Sequence, residues 1–190
     1  MCIRDRSKGD PVIEGIFEQR VQGGNAAFVG AASSALPDAI KAQLRTKAAQ
    51  IACVLQRLGY FGRCSLDAVI CAPATGPETI HWIECNGRWG GVSIPMTATR
   101  QLLGYAPLAP LPAIAILQEK LRGPGMNCDA LRQVLSDLLF QQGRDQSGLV
   151  IWSPPECEGG VSVNLLAIGE TQTDADGMLA EAMRRLMPAP

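Results

Sequence analysis

Trp82-Ile83-Glu84-Cys85-Asn86-Gly87-Arg88-Trp89-Gly90-Gly91, read together with Asp67 upstream, is the stretch on which the fold turns. It brings together carboxylates (Asp67, Glu84), an amide (Asn86) and a guanidinium (Arg88). Hard divalent cations take oxygen ligands, and arginine forks onto phosphate oxygens. The set is therefore suited to magnesium and phosphate, and it points to nucleotide-dependent chemistry.

The spacing carries the reading further. Ser65 to Cys71 and Thr79 to Asn86 both read as short strands, and the segment between them, Ala72-Pro73-Ala74-Thr75-Gly76-Pro77-Glu78, is dense in turn residues. A β-hairpin is expected. If it is symmetric about its loop, Asp67 falls opposite Glu84 with both side chains on one face, and Asn86, two residues on, shares that face. Directly opposed like charges are destabilising unless something cationic sits between them. A divalent metal is the economical explanation. The same residues also read as edge carboxylates in solvent with Asn86-Gly87 as a turn, and spacing alone leaves both accounts open.

The chain resembles the ATP-grasp superfamily, the carboxylate-amine and carboxylate-thiol ligases. The residues that carry the resemblance are Leu58-Gly59-Tyr60-Phe61-Gly62 leading into Ser65-Leu66-Asp67, then Ile83 to Arg88, then Gly90-Gly91-Val92-Ser93-Ile94-Pro95-Met96. Within the superfamily it is similar to the peptide ligases of the pheganomycin type. The resemblance spans residues 10 to 105. It implies that Asp67 ligates one magnesium (or manganese) ion, Glu84 bridges two, and Asn86 holds the second. It also implies that Arg88 contacts the transferred phosphate or the acyl phosphate, and that the loop holding Gly90, Gly91 and Ser93 receives the substrate carboxylate. ATP is the implied cosubstrate, with a small-molecule carboxylate and an amine as partners. The opposing ATP-grasp subdomain, with its phosphate-binding lysines and adenine-binding strand, would lie upstream of Pro11, so the chain is expected to be the C-terminal half of a ligase.

In such chemistry a carboxylate attacks the terminal phosphate of ATP and an amine displaces the acyl phosphate, so no side-chain nucleophile is needed. The sequence offers no persuasive one. The single histidine, His81, is one residue out of phase with Glu84 and Asn86, and strict alternation sends it to the opposite face. The seven cysteines contain no Cys-x-x-Cys pair. Cys64, His81 and Cys85 would share a hairpin face, but His81 and Cys85 would lie roughly 13 Å apart, too far for one tetrahedral zinc ion. The odd cysteine count and the absence of a secretory apolar segment point to reduced, mostly buried thiols in a cytoplasm.

The 190 residues carry a formal net charge of −1 and are 47% hydrophobic, enough for a real core. Nothing is basic enough for a nucleic-acid surface. The most apolar run, Leu108 to Leu117, is interrupted by Pro110 and Pro112 and is too short to span a membrane.

The fold class expected is α+β: an ATP-grasp C-terminal subdomain, an antiparallel sheet packed by helices, over residues 10–105, followed by a small α/β appendage over 106–190. Residues 1–9 begin Met1-Cys2-Ile3-Arg4-Asp5-Arg6-Ser7, with neither strand nor helix period, and are set aside as a non-native or disordered leader. Pro11 to Val21 reads as a strand turning at Gly23-Gly24-Asn25 into Ala26 to Gly30, with Glu14, Glu18 and Arg20 on a solvated face or lining a cleft. Pro37 and Asp38 open a helix with Ile40, Leu44, Ala48, Ile51, Leu55 and Leu58 as its apolar stripe, stopped by Gly59. Pro95 is placed at a first helical position, and that helix closes at Gly104. Tyr105 to Pro112 is a connection. Asn127 or Asp129 caps a helix ending at Gly143, and Leu149 to Trp152 and Val161 to Ile168 are strands across a turn region at 154–160. Trp152 reads as a packing residue, and Thr173 caps the last helix. Two rivals to the ligase remain open: a noncatalytic module that binds a metabolite or partner, and a magnesium-dependent hydrolase using the same carboxylates.

Overall fold

The computed structural model describes residues 1–4, 9–72, 75–76, 78–106, 109–121, 126–153, 155–157 and 160–187. Asp5, Arg6 and Ser7 of the leader lie outside these. So do Pro73, Ala74 and Pro77 of the hairpin loop, Pro107 and Leu108 of the connection, and Pro154, Glu158 and Gly159 of the late turn region. The elements in order are β1 (Cys2–Arg4), β2 (Val12–Gly15), β3 (Phe17–Gln22), β4 (Ala27–Ser33), α1 (Asp38–Arg57), β5 (Arg63–Cys71), β6 (Thr79–Asn86), α2 (Ser93–Leu102), β7 (Ala113–Leu121), α3 (Cys128–Val134), β8 (Gly148–Ile151), β9 (Glu156–Cys157), β10 (Gly160–Gly169) and α4 (Gln172–Leu186). They fall into two compact units, residues 1–17 with 34–94, and residues 18–33 with 95–190.

The first unit is an antiparallel sheet in the order β2-β1-β5-β6 with α1 packed on it. Cys2–Arg4, which shows no period, forms a central strand: Ile3 pairs with Ile13 on one side and Cys64 on the other and is wholly buried. Three residues are too few for alternation to register, and the burial comes from neighbours distant in sequence. α1 buries Ile40, Leu44, Ala48 and Ala52, one residue per turn. The small Ala48 and Ala52 let the helix approach Ile3, Cys64 and Leu66 closely. The expected stripe runs one residue too far, because Leu58 is 79% exposed. Gly59 has φ +90°, and the bonds Gly59 N–H to Gln56 O and Tyr60 N–H to Leu55 O, 3.0 Å each, close a Schellman motif there.

The expected strand 11–21 is two strands. β2 joins the first sheet and β3 the second, with the break at Ile16, whose carbonyl accepts from Ser34 N–H at 3.1 Å. A Cβ at Gly15 would stand 2.5 Å from the Phe17 ring, so glycine permits the bend.

The second unit orders its strands β3-β4-β7-β10-β8, with β9 also on β10. Its centre is the nine-residue antiparallel register of β7 with β10, from Ala113↔Gly169 to Leu121↔Val161. β7 was absent from the strands expected. A strand enclosed on both faces shows no alternation, and Ile114, Ala115 and Ile116 are all buried. Gly30 on β4 lies so close to β7 that a Cβ there would fall 2.0 Å from Ile116 O. Leu131 and Leu135 of the α3 segment and Ala175, Leu179 and Ala182 of α4 complete this core.

Asn127 caps α3, its side chain accepting from Ala130 N–H at 2.8 Å. The helix stops at Val134, well short of Gly143, because the chain at Leu138 to Phe140 turns to bond Leu149. α4 is capped by Thr171 rather than Thr173, in a capping box with Asp174. α2 begins at Ser93, so Pro95 is its third residue, and the helix ends at Leu102, two residues before Gly104, φ +68°. Trp152 lies at the surface, 37% exposed. Among the described residues, no helix is long and apolar enough to cross a membrane.

Candidate functional site on the β5–β6 hairpin

Beginning at the open end of the hairpin, Ser65 pairs with Asn86, Leu66 with Cys85 and Asp67 with Glu84. Then the register breaks. Ala68 pairs with Trp82, leaving Ile83 as an extra residue on β6, a β-bulge, after which Val69 pairs with His81 and Ile70 with Ile80. Cys64 and Leu66 pack into the α1 core. Alternation therefore puts Ser65, Asp67 and Val69 on the opposite face, with their partners Asn86, Glu84 and His81. Asp67 and Asn86 are half-buried and Glu84 is exposed.

The bulge overturns the expectation for His81. One inserted residue inverts the parity of everything between it and the turn, so His81 shares the carboxylate face and is parted from Cys64. Its Nε2 lies 3.1 Å from Thr79 Oγ1. The same inversion sends Trp82 and Ile80 to the α1 side. There, with Ala42, Gln43, Thr46 and Lys47, they line an open groove of about 670 Å³ away from the carboxylates.

Among the described residues neither Asp67 nor Glu84 is in an ion pair. Cross-strand neighbours have Cβ atoms about 5 Å apart, so the two carboxylates face each other across a gap that a cation can fill. Their joint field reaches Cys85: burial first, then Asp67 and Glu84, push its thiol above the ordinary value. No group of three or more His, Cys, Asp and Glu side chains among the described residues is disposed to hold a metal ion. The thiols are not mostly buried. Cys64 is buried and Cys53 half-buried, but Cys71, Cys85 and Cys128 are exposed.

Past β6 the chain makes the loop that carries Arg88. Arg88 N–H donates to Asn86 O at 2.8 Å, and the exposed Arg88 side chain donates from Nη1 to Trp89 O at 3.1 Å. A Cβ at Gly87 would come within 3.2 Å of the Tyr60 ring, and one at Gly90 within 3.2 Å of Ser65 Oγ, so both glycines let the loop lie close against its support. The buried Ser93 hydroxyl accepts from Gly90 N–H at 2.7 Å and donates to Gly90 O at 3.0 Å. Its place is to close the turn that presents Gly91.

Arg63, Glu14 and Tyr60 support this loop. The Arg63 guanidinium lies 4.3 Å from the centroid of the Trp89 ring. Arg63 in turn pairs with Glu14, whose side chain is fully enclosed, contrary to a solvated strand face. Glu18 is exposed, and Arg20 pairs with Asp176. The Tyr60 hydroxyl donates to the Arg63 carbonyl. Glu14 lies 49 residues from Arg63 along the chain, beyond the reach of any local pattern.

No family model and no curated protein matches the chain. Among solved structures it is similar to N5-carboxyaminoimidazole ribonucleotide synthetase from Thermus thermophilus, with a TM-score of 0.59 and 17% identity over all of this chain. The fold is that of an ATP-grasp enzyme. The chain spans half the length of that synthetase.

Proposed function

We propose that the chain supplies the magnesium- and phosphate-binding half of an ATP-dependent carboxylate-amine ligase of peptide-like products. The observation that carries this reading is the register that sets Asp67 against Glu84 and Ser65 against Asn86, immediately followed by the loop bearing Arg88. Two carboxylates and an amide are hard oxygen donors, which fits magnesium or manganese and disfavours soft metals. When bound, such ions neutralise charge on the phosphates of ATP.

The chain's own groups have distinct tasks. Asp67, Glu84 and Asn86 hold the cations on one face of a rigid hairpin. Arg88 grips the transferred phosphate at two points. The loop with Gly90, Gly91 and Ser93 receives the substrate carboxylate, Ser93 fixing Gly90 while the absence of side chains lets a ligand approach the backbone. Carboxylate oxygen attacks the terminal phosphorus, ADP leaves, and the amine then displaces phosphate from the acyl carbon. The remaining ATP-binding groups, lysines included, belong to a subdomain outside these residues, and the site works in a cytoplasm.

Incubating the complete protein with magnesium, ATP, candidate carboxylic acids and hydroxylamine tests this. Acid-dependent ADP together with a hydroxamate is the expected result. ADP without hydroxamate would make it a hydrolase, and no ADP at all a noncatalytic module.

A further inference from the structure

Trp89 is half open to solvent, an unusual place for the largest apolar side chain unless the ring has a use. It is also held unusually firmly. Arg63 stacks on it, and Arg63 is itself fixed by the enclosed Glu14 carboxylate and lies at the start of β5, two residues from Ser65. Gly87 on one side seats against Tyr60 and Gly90 on the other seats against Ser65, so both ends of the loop are pinned. Arg88 Nη1 bonds the Trp89 carbonyl itself, which ties the phosphate-binding candidate and the indole into one unit.

Arg63 covers one face of the ring while 48% of Trp89 stays exposed, so the brace leaves indole surface for a ligand. From this geometry we infer that Trp89 is a stacking platform that selects carboxylate substrates bearing an aromatic ring. The carboxylate goes to the Gly90–Ser93 loop and the planar group lies on the indole. The assignment of the carboxylate as the reacting group rests on the ligase reading; the aromatic preference rests on Trp89 and Arg63. Arg63 is a positioning residue, acting through the indole.

The test is binding to the 190-residue chain without ATP, followed by the indole N–H resonance of Trp89. The probes are phenylacetate, its saturated counterpart cyclohexylacetate, and benzyl alcohol, which keeps the ring and lacks the carboxylate. Stacking geometry is worth about 2- to 12-fold in affinity beyond area alone. Phenylacetate should shift the Trp89 resonance, bind better than cyclohexylacetate by that range, and bind better than benzyl alcohol through its carboxylate. Trp89→Leu should lose the preference and Trp89→Phe keep most of it. Arg63→Lys, which retains the charge beside Glu14 but not the planar stack, should reduce the preference without abolishing carboxylate binding.

Equal binding of phenylacetate and cyclohexylacetate overturns the platform, as does an unchanged preference in Trp89→Leu or failure of phenylacetate to bind. If phenylacetate shows the full pattern while the complete protein makes no ADP with any acid, the platform stands and the ligase reading falls.

Discussion

Asp67 and Glu84 are direct cross-strand partners, two carboxylates opposed at the one point where the register of their hairpin breaks. Opposed like charges cost about 0.2–1 kcal/mol. Glu84→Gln should therefore raise the stability of the metal-free chain slightly and weaken manganese binding on the order of tenfold or more, since one of two ligand charges is gone. Chemical denaturation with and without manganese reads both effects. Tighter or unchanged manganese binding in the variant would remove Glu84 from the site.

Arg88 is exposed, and among the described residues its side chain bonds only its neighbour's carbonyl, through Nη1 at 3.1 Å, which leaves it able to reorient toward a ligand. On the proposed ligase reading, Arg88→Lys in the complete protein should lower turnover by roughly tenfold or more, because lysine keeps the charge and loses the planar two-point grip. A silent substitution, with turnover and ATP affinity both unchanged, would mark Arg88 as an ordinary surface residue.

The Glu14–Arg63 pair is enclosed, with side chains 0% and 10% exposed. Removing one partner strands the other charge, so Arg63→Ala should destabilise by roughly 3–5 kcal/mol and change the Trp89 emission. Replacing both residues by apolar side chains of similar volume should recover much of the stability without restoring the emission.

Ile83 is the bulged residue and is 66% exposed. Deleting it makes Trp82 and Glu84 consecutive, so plain alternation keeps every pair of the hairpin and leaves Trp82 and Ile80 on the α1 side; the cost should stay below about 1 kcal/mol. Inserting one residue between Asp67 and Ala68, opposite Ile83, removes the bulge the other way and turns Trp82 and Ile80 away from α1, with a loss of at least about 2 kcal/mol expected. Equal stability of deletion and insertion would show that the bulge does not set the faces.

Arg184 and Arg185 hold Glu181 at about 2, below its ordinary value of 4.5, through hydrogen bonds to its carboxylate. A carboxylate depressed on folding stabilises fully above its unfolded value, and that contribution is lost as pH falls from about 4.5 through about 2. Carboxyl NMR should show Glu181 titrating near the lower end. Because the pair is exposed, added salt should move its midpoint upward.

Much of this was legible in local sequence. The two strands of the hairpin, and the apolar stripe of α1 with its stop at Gly59, follow from propensity, period and glycine conformation, which act within a few residues. The Asp67–Glu84 pairing was expected too, but not from the register the loop sets: the pairs from Cys71↔Thr79 to Ala68↔Trp82 would carry Asp67 to Ile83, and the bulge at Ile83 brings Glu84 there instead. His81 was misread because alternation carries no record of a bulge, and Ile83 looks like any other β-branched strand residue. β1 and β7 went unseen for a related reason: a strand of three residues, or one buried on both faces, has no alternation to detect.

The residue types able to hold a hard cation and a phosphate, and their order along one hairpin, were determined by the sequence by itself, because both are properties of the covalent chain. Which face they occupy relative to His81 and Trp82 was decided only by the tertiary structure, as was the brace that Glu14 and Arg63 place behind Trp89. Those relations depend on one bulged residue and on a contact across 49 positions of chain, and their stability comes from desolvation and packing that exist only once the sheet has assembled.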